Sequence, residues 1–378
     1  MGKRLALVLG STLLALAGAE VAARVHLGDE FQQGAYVGPP QAMCGRFDAN
    51  LGWANLEGAS SKIAALGGTY RVTINSRGNR GPERALEKPS GVTRVLVLGD
   101  STAWGWGVDD AEVWCELVDA RLGGEVEVIN LAVPGYGTDQ QLLQLERVGA
   151  DWQPDIVLLA YVHNDLTSNP FPVYNGMGKP LLTRDEQGTW VWTHQPVPAP
   201  AADSQLGGQA ALRRVGKYLA LFKLLEPPRP VHVRRNLEDP ATVAGIKRYW
   251  DHLANPDQVS HELLRRLKLA CNDLDAELLA FVIPHLHDRY LYEPATAPPA
   301  SVAERDPGTP FKTYGTQQLA EAGRLLGFET FSIDQALLEV VLTGTNLDCG
   351  DEHLNARGNQ IVAEVVAEQL TAAVESAR

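Results

Sequence analysis

The chain has 378 residues, of which 45% are hydrophobic and 21% charged, a balance typical of a protein that buries a sizeable core. At roughly 150 residues per domain, this length allows two domains or one large, embellished domain. The net charge of −13 excludes long-range attraction to nucleic acid or to an anionic membrane surface.

Residues 1–28 have the pattern of an export segment. Two basic residues precede an apolar run from Leu5 to Ala19, and the end of this run offers a small-residue cleavage site. If pairing with Arg24 makes Glu20 tolerable, the apolar stretch becomes about long enough to span a bilayer. We therefore expect a signal peptide or an N-terminal membrane anchor, and an exported protein that is periplasmic or extracellular.

The cysteines leave two possibilities open. Four cysteines in an oxidising compartment allow up to two disulfides, with three possible full pairings. Cys115 and Cys271, however, fall in helical patterns and could equally be buried thiols. No CxxC pair indicates zinc or redox chemistry.

Residues 30–92 form a lead-in segment that is rich in glycine and poor in helical patterns. Its one strand-like piece is Thr69–Ile74, and a polar loop follows from Asn75 to Arg84. The segment is too short and too polar to hold a large core by itself. We predict a β-rich piece that packs on the main domain.

From Thr93 onwards, strands alternate with helices. The predicted strands cover residues 95–98, 126–133, 156–162, 278–283 and 328–333, and the predicted helices lie near residues 113–122, 139–149, 263–269 and 361–370. This alternation predicts a central parallel sheet covered by helices on both faces, a three-layer α/β/α domain over residues 93–378.

Residues 167–260 interrupt the alternation. We predict a β-hairpin over Leu181–Thr193 and an amphipathic, basic helix over Leu212–Leu225. An insertion of this kind is typical of a lid, a substrate wall or a partner surface, but it can also be a packed excursion without a role.

Chemistry-bearing residues follow the predicted strands at the point where each ends. Residues 99–101 follow the first strand, 134–137 the second and 163–165 the third, and 351–355 precede the last helix. Because ligands bind at the carboxyl ends of the strands in open parallel sheets, these four loops should meet at one edge.

The four loops together hold what acyl transfer requires. Ser101 supplies a hydroxyl nucleophile, His353 a base, and Asp351 a carboxylate that can fix the tautomer of the imidazole. The backbone N–H groups of Ser101 and Gly135 and the side-chain amide of Asn164 would form an oxyanion hole. The sequence therefore predicts a serine ester hydrolase with a Ser-His-Asp triad, which needs no cofactor.

The four blocks resemble those of the SGNH, or GDSL-like, hydrolases over roughly residues 93–376. They read VLVLGDSTAWGWGV, NLAVPGYGT, YVHND and DEHLNARGNQIVAE. The resemblance implies a flavodoxin-like α/β/α fold and esterase activity, with the site residues given above. The lead-in VTINSRGNRGPE and the export segment are similar to those of membrane-anchored or secreted bacterial members.

Three positions depart from the family pattern. Thr102 follows the serine where leucine is usual, and Val162 stands where the third block commonly has glycine. In the last block Gly350 occupies the usual aspartate position, so the acidic residue falls at Asp351, with Asp348 as the alternative.

Other functions stay open or are disfavoured. The substrate class implied by the resemblance includes carbohydrate O-acetyl groups, lipid esters and small aryl esters. An O-acyltransferase acting on carbohydrate hydroxyls and a catalytically silent binding protein are the alternatives. His285 and His287 follow the fourth strand in a metal-like spacing, but further ligands are not evident, so we expect no metal. The glycines of the first block do not match a nucleotide-binding fingerprint.

Overall fold

The computed structural model describes residues 45–65, 68–199, 240–284, 311–349 and 353–377, together with the isolated Ala19. The predicted export segment, the predicted helix over residues 212–225 and the paired histidines 285 and 287 lie outside these residues. Within the described ranges, none of the helices is both long and apolar enough to cross a membrane.

The described elements follow in chain order. The strands are β1 (Gly45–Asp48), β2 (Gly52–Asn55), β3 (Ser60–Ala65), β4 (Gly68–Thr73), β5 (Thr93–Leu98), β6 (Val126–Asn130), β7 (Ile156–Tyr161), β8 (Val173–Tyr174), β9 (Met177–Gly178), β10 (Leu181–Arg184), β11 (Trp190–Thr193), β12 (Glu277–Val282) and β13 (Glu329–Ser332). The helices are α1 (Ser101–Trp104), α2 (Trp114–Leu122), α3 (Thr138–Trp152), α4 (His163–Ser168), α5 (Pro240–Trp250), α6 (Val259–Asp273), α7 (Tyr314–Leu326), α8 (Asp334–Leu342) and α9 (Ala356–Ala377), with 3₁₀ turns at Asp110–Glu112 and Gly123–Glu125.

Five parallel strands form the central sheet, in the order β13-β12-β7-β5-β6. The chain passes from β5 outwards to β6 and then returns to place β7 on the other side of β5. This is the flavodoxin-like strand order, and its switch point lies between β5 and β7. The predicted α/β/α fold class is thereby confirmed.

The apolar strand sequences explain why the sheet is covered on both faces. In β5, Val95 and Val97 pack into one core, and Leu96 and Leu98 pack into the other. The strands β7 and β12 alternate in the same way. Helices α2, α8 and α9 cover the first face, and α3, α6 and α7 cover the second. A strand buried on both faces needs apolar residues throughout, and this continuous apolar pattern predicted these strands from the sequence.

Most predicted boundaries agree with the structure to within a few residues. The strand predicted to continue to residue 133 instead ends at Asn130, whose side-chain oxygen accepts a hydrogen bond from Ala132 N at 3.0 Å. The capping signal at Asp109 opens a 3₁₀ turn, and α2 begins only at Trp114. The predicted hairpin over residues 181–193 is present as β10 and β11.

The lead-in segment is joined to the sheet domain through a buried arginine. Arg80 is 2% exposed and lies with its guanidinium carbon 4.7 Å from the centroid of the Trp104 ring. It donates hydrogen bonds to the carbonyl oxygens of Trp104 (3.0 Å) and Val108 (2.8 Å) and to Asp110 Oδ1 (3.0 Å). The polar loop predicted over residues 75–84 is therefore packed against the end of α1.

Cys115 and Cys271 are free, buried thiols, and Cys349 is also buried. For Cys115 and Cys271, this confirms the buried-thiol alternative. Burial raises the pKa of the Cys271 thiol to about 12, so this group stays protonated and unreactive at neutral pH. Cys44 lies outside the described residues.

A buried ion pair ties the segment between α4 and α5 to the sheet domain. Lys179, just after β9, contacts the carboxylate of Asp139 on α3, and both side chains are fully buried. Removing one partner from such a pair leaves an uncompensated buried charge, whereas removing both does not.

We expect Lys179→Met or Asp139→Asn to lower the free energy of unfolding by about 3–5 kcal/mol each. The double variant Lys179→Met/Asp139→Leu should recover most of this loss, because no lone charge stays buried. Urea unfolding measures the effect. Arg184→Met, which breaks the exposed pair with Asp257, is the matched control and should change stability by less than about 1 kcal/mol. Single variants as stable as this control would contradict the prediction.

Candidate active site

The serine lies on a tight turn that follows β5. A Cβ atom at Gly99 would lie 2.6 Å from the Cβ of Ala103, so only glycine lets the chain fold back at this point. Asp100 then caps α1, since its Oδ1 accepts hydrogen bonds from Thr102 N at 2.9 Å and from Thr102 Oγ1 at 2.7 Å. Ser101 is the first residue of the helix, at the carboxyl edge of the sheet.

Ser101 and His353 meet across 252 residues of sequence. Nε2 of His353 lies 2.8 Å from Oγ of Ser101, within hydrogen-bonding distance. The ring of Trp106 packs beside the imidazole, with 5.6 Å between ring centroids. The structure thus brings together the predicted nucleophile and the predicted base.

The loop that carries His353 leads into α9. Asp348 and Leu354 form an isolated β-bridge, and Asn355 caps the helix by accepting a hydrogen bond from Gly358 N at 3.0 Å. Asp351 lies outside the described residues, so its orientation towards His353 stays a prediction.

Asn164 belongs to the third block and follows β7. Its amide side chain faces the serine turn. Its Nδ2 donates a hydrogen bond to Asp100 Oδ2 at 2.8 Å, and Ser101 Oγ lies 3.3 Å from the same oxygen. One carboxylate oxygen therefore holds the amide next to the hydroxyl.

Asp165 beside it has a structural position. It is fully buried and accepts hydrogen bonds from Val162 N (2.9 Å), Thr138 Oγ1 (3.0 Å) and Gln141 Nε2 (3.1 Å). Burial, and secondly the charge of Asp100, raise the pKa of Asp165 well above its ordinary value. The residue ties the start of α4 to the start of α3.

Gly135 lies behind an aromatic side chain that the sequence analysis did not single out. Its φ of 80° is in the left-handed region, and a Cβ would lie 2.8 Å from Cε1 of Tyr174. The preceding carbonyl, of Pro134, accepts a hydrogen bond from Trp53 Nε1 at 3.0 Å. The lead-in segment and the segment after α4 therefore both contact this loop.

These groups surround a cleft of about 180 Å³ at the switch point of the sheet. Its lining combines the polar turn with apolar side chains: Asp100, Ser101, Thr102, Val162, His163, Asn164, Tyr174, Ile283, Pro284, His353 and Leu354. Of the predicted site residues, Ser101, Asn164 and His353 line it. Gly135 adjoins it through Tyr174.

The residues missed from the sequence are Tyr174, Trp53 and Trp106. Trp106 stands within the first block, two residues after another tryptophan, and its position there was the only available signal. Trp53 and Tyr174 lie in segments without periodicity or motif, and only the packing of distant parts of the chain brings them to the site.

The structure is a three-layer α/β/α domain with a hydroxyl and an imidazole in contact at the carboxyl edge of a parallel sheet. A model of the GDSL-like Lipase/Acylhydrolase family matches residues 97–361. The chain belongs to this family, and the resemblance seen in the four blocks is confirmed. No curated protein sequence matches the chain.

Similar solved structures cover about three quarters of the chain. The psychrotrophic esterase EstA from Pseudoalteromonas sp. is 12% identical with a TM-score of 0.37, covering 75% of this chain and 99% of that one. The carbohydrate acetylesterase Est24 from Sinorhizobium meliloti is 13% identical with a TM-score of 0.32, covering 74% and 99%. A GDSL-like lipase from Bacteroides thetaiotaomicron is 9% identical with a TM-score of 0.33, covering 74% and 89%. The assignment of the chain to the GDSL-like Lipase/Acylhydrolase family rests on the family model.

We expect Gly135→Ala to lower kcat/KM for an ester substrate by about 10-fold to 100-fold, because the added methyl group displaces the Tyr174 ring and the loop itself. Gly188→Ala is the matched control. It has a φ of 81° but nothing within 4 Å of the new Cβ, so it bears similar backbone strain without the clash. Steady-state kinetics on both variants make the comparison. Equal kcat/KM values for Gly135→Ala and Gly188→Ala would show that the close approach of Gly135 to Tyr174 is unimportant for activity.

Proposed function

We propose that this protein hydrolyses carboxylic esters, with Ser101 as the nucleophile and His353 as the general base. The observation that carries the proposal is the 2.8 Å contact between Ser101 Oγ and His353 Nε2. A serine hydroxyl is a weak nucleophile unless a positioned base removes its proton. A fold retained only for binding would have no need of this contact.

The reaction follows from this arrangement. Oγ of Ser101 attacks the ester carbonyl while Nε2 of His353 takes the hydroxyl proton, and a tetrahedral intermediate forms. When the intermediate collapses, the imidazolium gives the proton to the leaving alcohol. Water then attacks the acyl-serine while His353 takes one of its protons; the bond between Ser101 Oγ and the acyl carbon breaks, Oγ takes the proton back from the imidazolium, and the acid is released.

The tetrahedral intermediate needs donors for its negative oxygen. We assign this role to the backbone N–H of Ser101, the N–H of Gly135 and the amide of Asn164. The hydrogen bond to Asp100 supports the last assignment, because it holds the amide beside the nucleophile. Donors fixed before the reaction stabilise the developing charge without the reorganisation that water would need.

Asp351 completes the proposal as the residue that orients His353. A carboxylate on the second imidazole nitrogen fixes the tautomer in which Nε2 accepts the serine proton. We further propose that the protein is exported through its N-terminal segment and acts on a small-molecule, carbohydrate or lipid ester outside the cytoplasm.

Hydrolysis of p-nitrophenyl acetate tests the proposed function. Ser101→Ala and His353→Ala should each lower kcat by about 10³ or more, because neither residue acts without the other. A serine-reactive phosphonate should label the wild-type protein at Ser101 but not label Ser101→Ala, as read by mass spectrometry. His252→Ala, outside the site, is the control and should retain wild-type rates. Wild-type rates in Ser101→Ala would refute the proposal.

The third triad member is tested by a pair of variants. Asp351→Asn should lower kcat more than Asp348→Asn, since Asp351 is only two residues from His353. An asparagine at 351 would favour the wrong tautomer of the imidazole. Thermal unfolding of both variants controls for misfolding. The opposite order of activities would assign the role to Asp348.

A further inference from the structure

We propose that Tyr174 limits the acyl group of the substrate to a short chain. This inference rests on the proposed esterase function and adds to it the acyl class of the substrate. Tyr174 belongs to β8, in the segment that follows the third block, so it lies outside all four blocks that carry the family resemblance.

Tyr174 forms a wall of the cleft that contains Ser101 and His353. Its ring stacks on Trp53, with 6.4 Å between centroids and 22° between planes. Behind the ring, the backbone of Gly135 is so close that a Cβ there would lie 2.8 Å from Cε1. The Trp53 ring and the Gly135 backbone therefore bound the Tyr174 ring on two sides.

The hydroxyl end of the Tyr174 side chain is neutral and belongs to the lining of the cleft. Its neighbour in the cleft lining, Asn164, donates a hydrogen bond to Asp100. Burial, and secondly the negative charge of Asp100, raise the pKa of the Tyr174 phenol above its ordinary value. The hydroxyl is therefore neutral at the pH where the enzyme would work.

The mechanism decides which part of the ester meets this wall. His353 has to protonate the leaving alcohol, so the alcohol must lie on the imidazole side of Ser101. The carbonyl oxygen must face the amide of Asn164. The acyl chain is left to extend into the rest of the cleft, away from both the imidazole and the oxyanion donors, and we assign the Tyr174 ring as the wall that it meets there.

The size of the cleft determines the length of the acyl chain that we expect it to accept. Its volume is about 180 Å³, whereas pockets for drug-sized ligands span about 300–1,000 Å³. The wall is apolar apart from the hydroxyl and the site groups, with Val162, Ile283 and Leu354 among its lining residues. We infer that an acetyl-sized group fits against the ring and that a hexanoyl chain does not.

The test compares kcat/KM for p-nitrophenyl acetate, butyrate and hexanoate. The wild-type protein should prefer acetate. Tyr174→Ala should raise the hexanoate-to-acetate ratio of kcat/KM by about 10-fold or more, since each methylene accommodated in an apolar pocket changes specificity by about that factor. Tyr174→Phe keeps the ring and should keep the wild-type ratio.

Phe171→Ala is the matched control, because it removes an aromatic ring from the same segment at a position that is 58% exposed and outside the cleft lining. Its ratio should equal that of the wild type. Thermal unfolding verifies that each variant is folded. If Tyr174→Ala does not fold, Tyr174→Leu replaces it in the comparison.

The outcomes separate the two proposals. An unchanged ratio in a folded Tyr174→Ala or Tyr174→Leu protein, or a wild-type preference for hexanoate, overturns the role of Tyr174 and leaves the esterase function standing. Absence of turnover with every ester, together with no phosphonate labelling of Ser101, overturns both.

Discussion

The carboxylate of Asp100 is the interaction on which the site depends. It is nearly inaccessible to solvent, at 3% exposure; it accepts hydrogen bonds from the first turn of α1 and from the Asn164 side chain, and Ser101 Oγ lies 3.3 Å from it. Ser101 follows β5 and Asn164 follows β7, the two strands that border the switch point. A buried carboxylate needs such partners to offset its lost hydration, and meeting that need fixes the relative positions of hydroxyl and amide.

Around this centre, segments outside the sheet domain supply a second layer. Trp53 comes from the lead-in, Tyr136 from the loop after β6, and Tyr174 from the segment after α4, and all three belong to one small apolar cluster. The Tyr136 hydroxyl donates to Trp53 O at 2.5 Å, so the cluster is joined by polar contacts as well as by packing. The lead-in and the later segment are thus parts of the site, although neither contains a motif.

Sequence reasoning succeeded where local chemistry determines the structure. Strands buried on two faces must be apolar throughout, and a helix that reverses the chain after a strand needs glycine and a cap, as at Gly99 and Asp100. It failed for Tyr174 and Trp53, because their positions depend on how distant segments pack, which no periodicity encodes. The end of β6 was predicted too late: the regular strand ends at Asn130, although Leu131 N and Val133 N still donate hydrogen bonds to Val97 O and Gly99 O.

The separation of Ser101 and His353 along the chain has a consequence for the order in which the protein is completed. The contact between Arg80 and Trp104 closes a loop of 24 residues, whereas the contact between Ser101 and His353 closes one of 252. Short loops close with less loss of entropy, so the serine turn can be organised while later parts of the chain are still being made. The base arrives only with the last helix. During synthesis Ser101 is therefore made well before His353, the residue that we propose activates it.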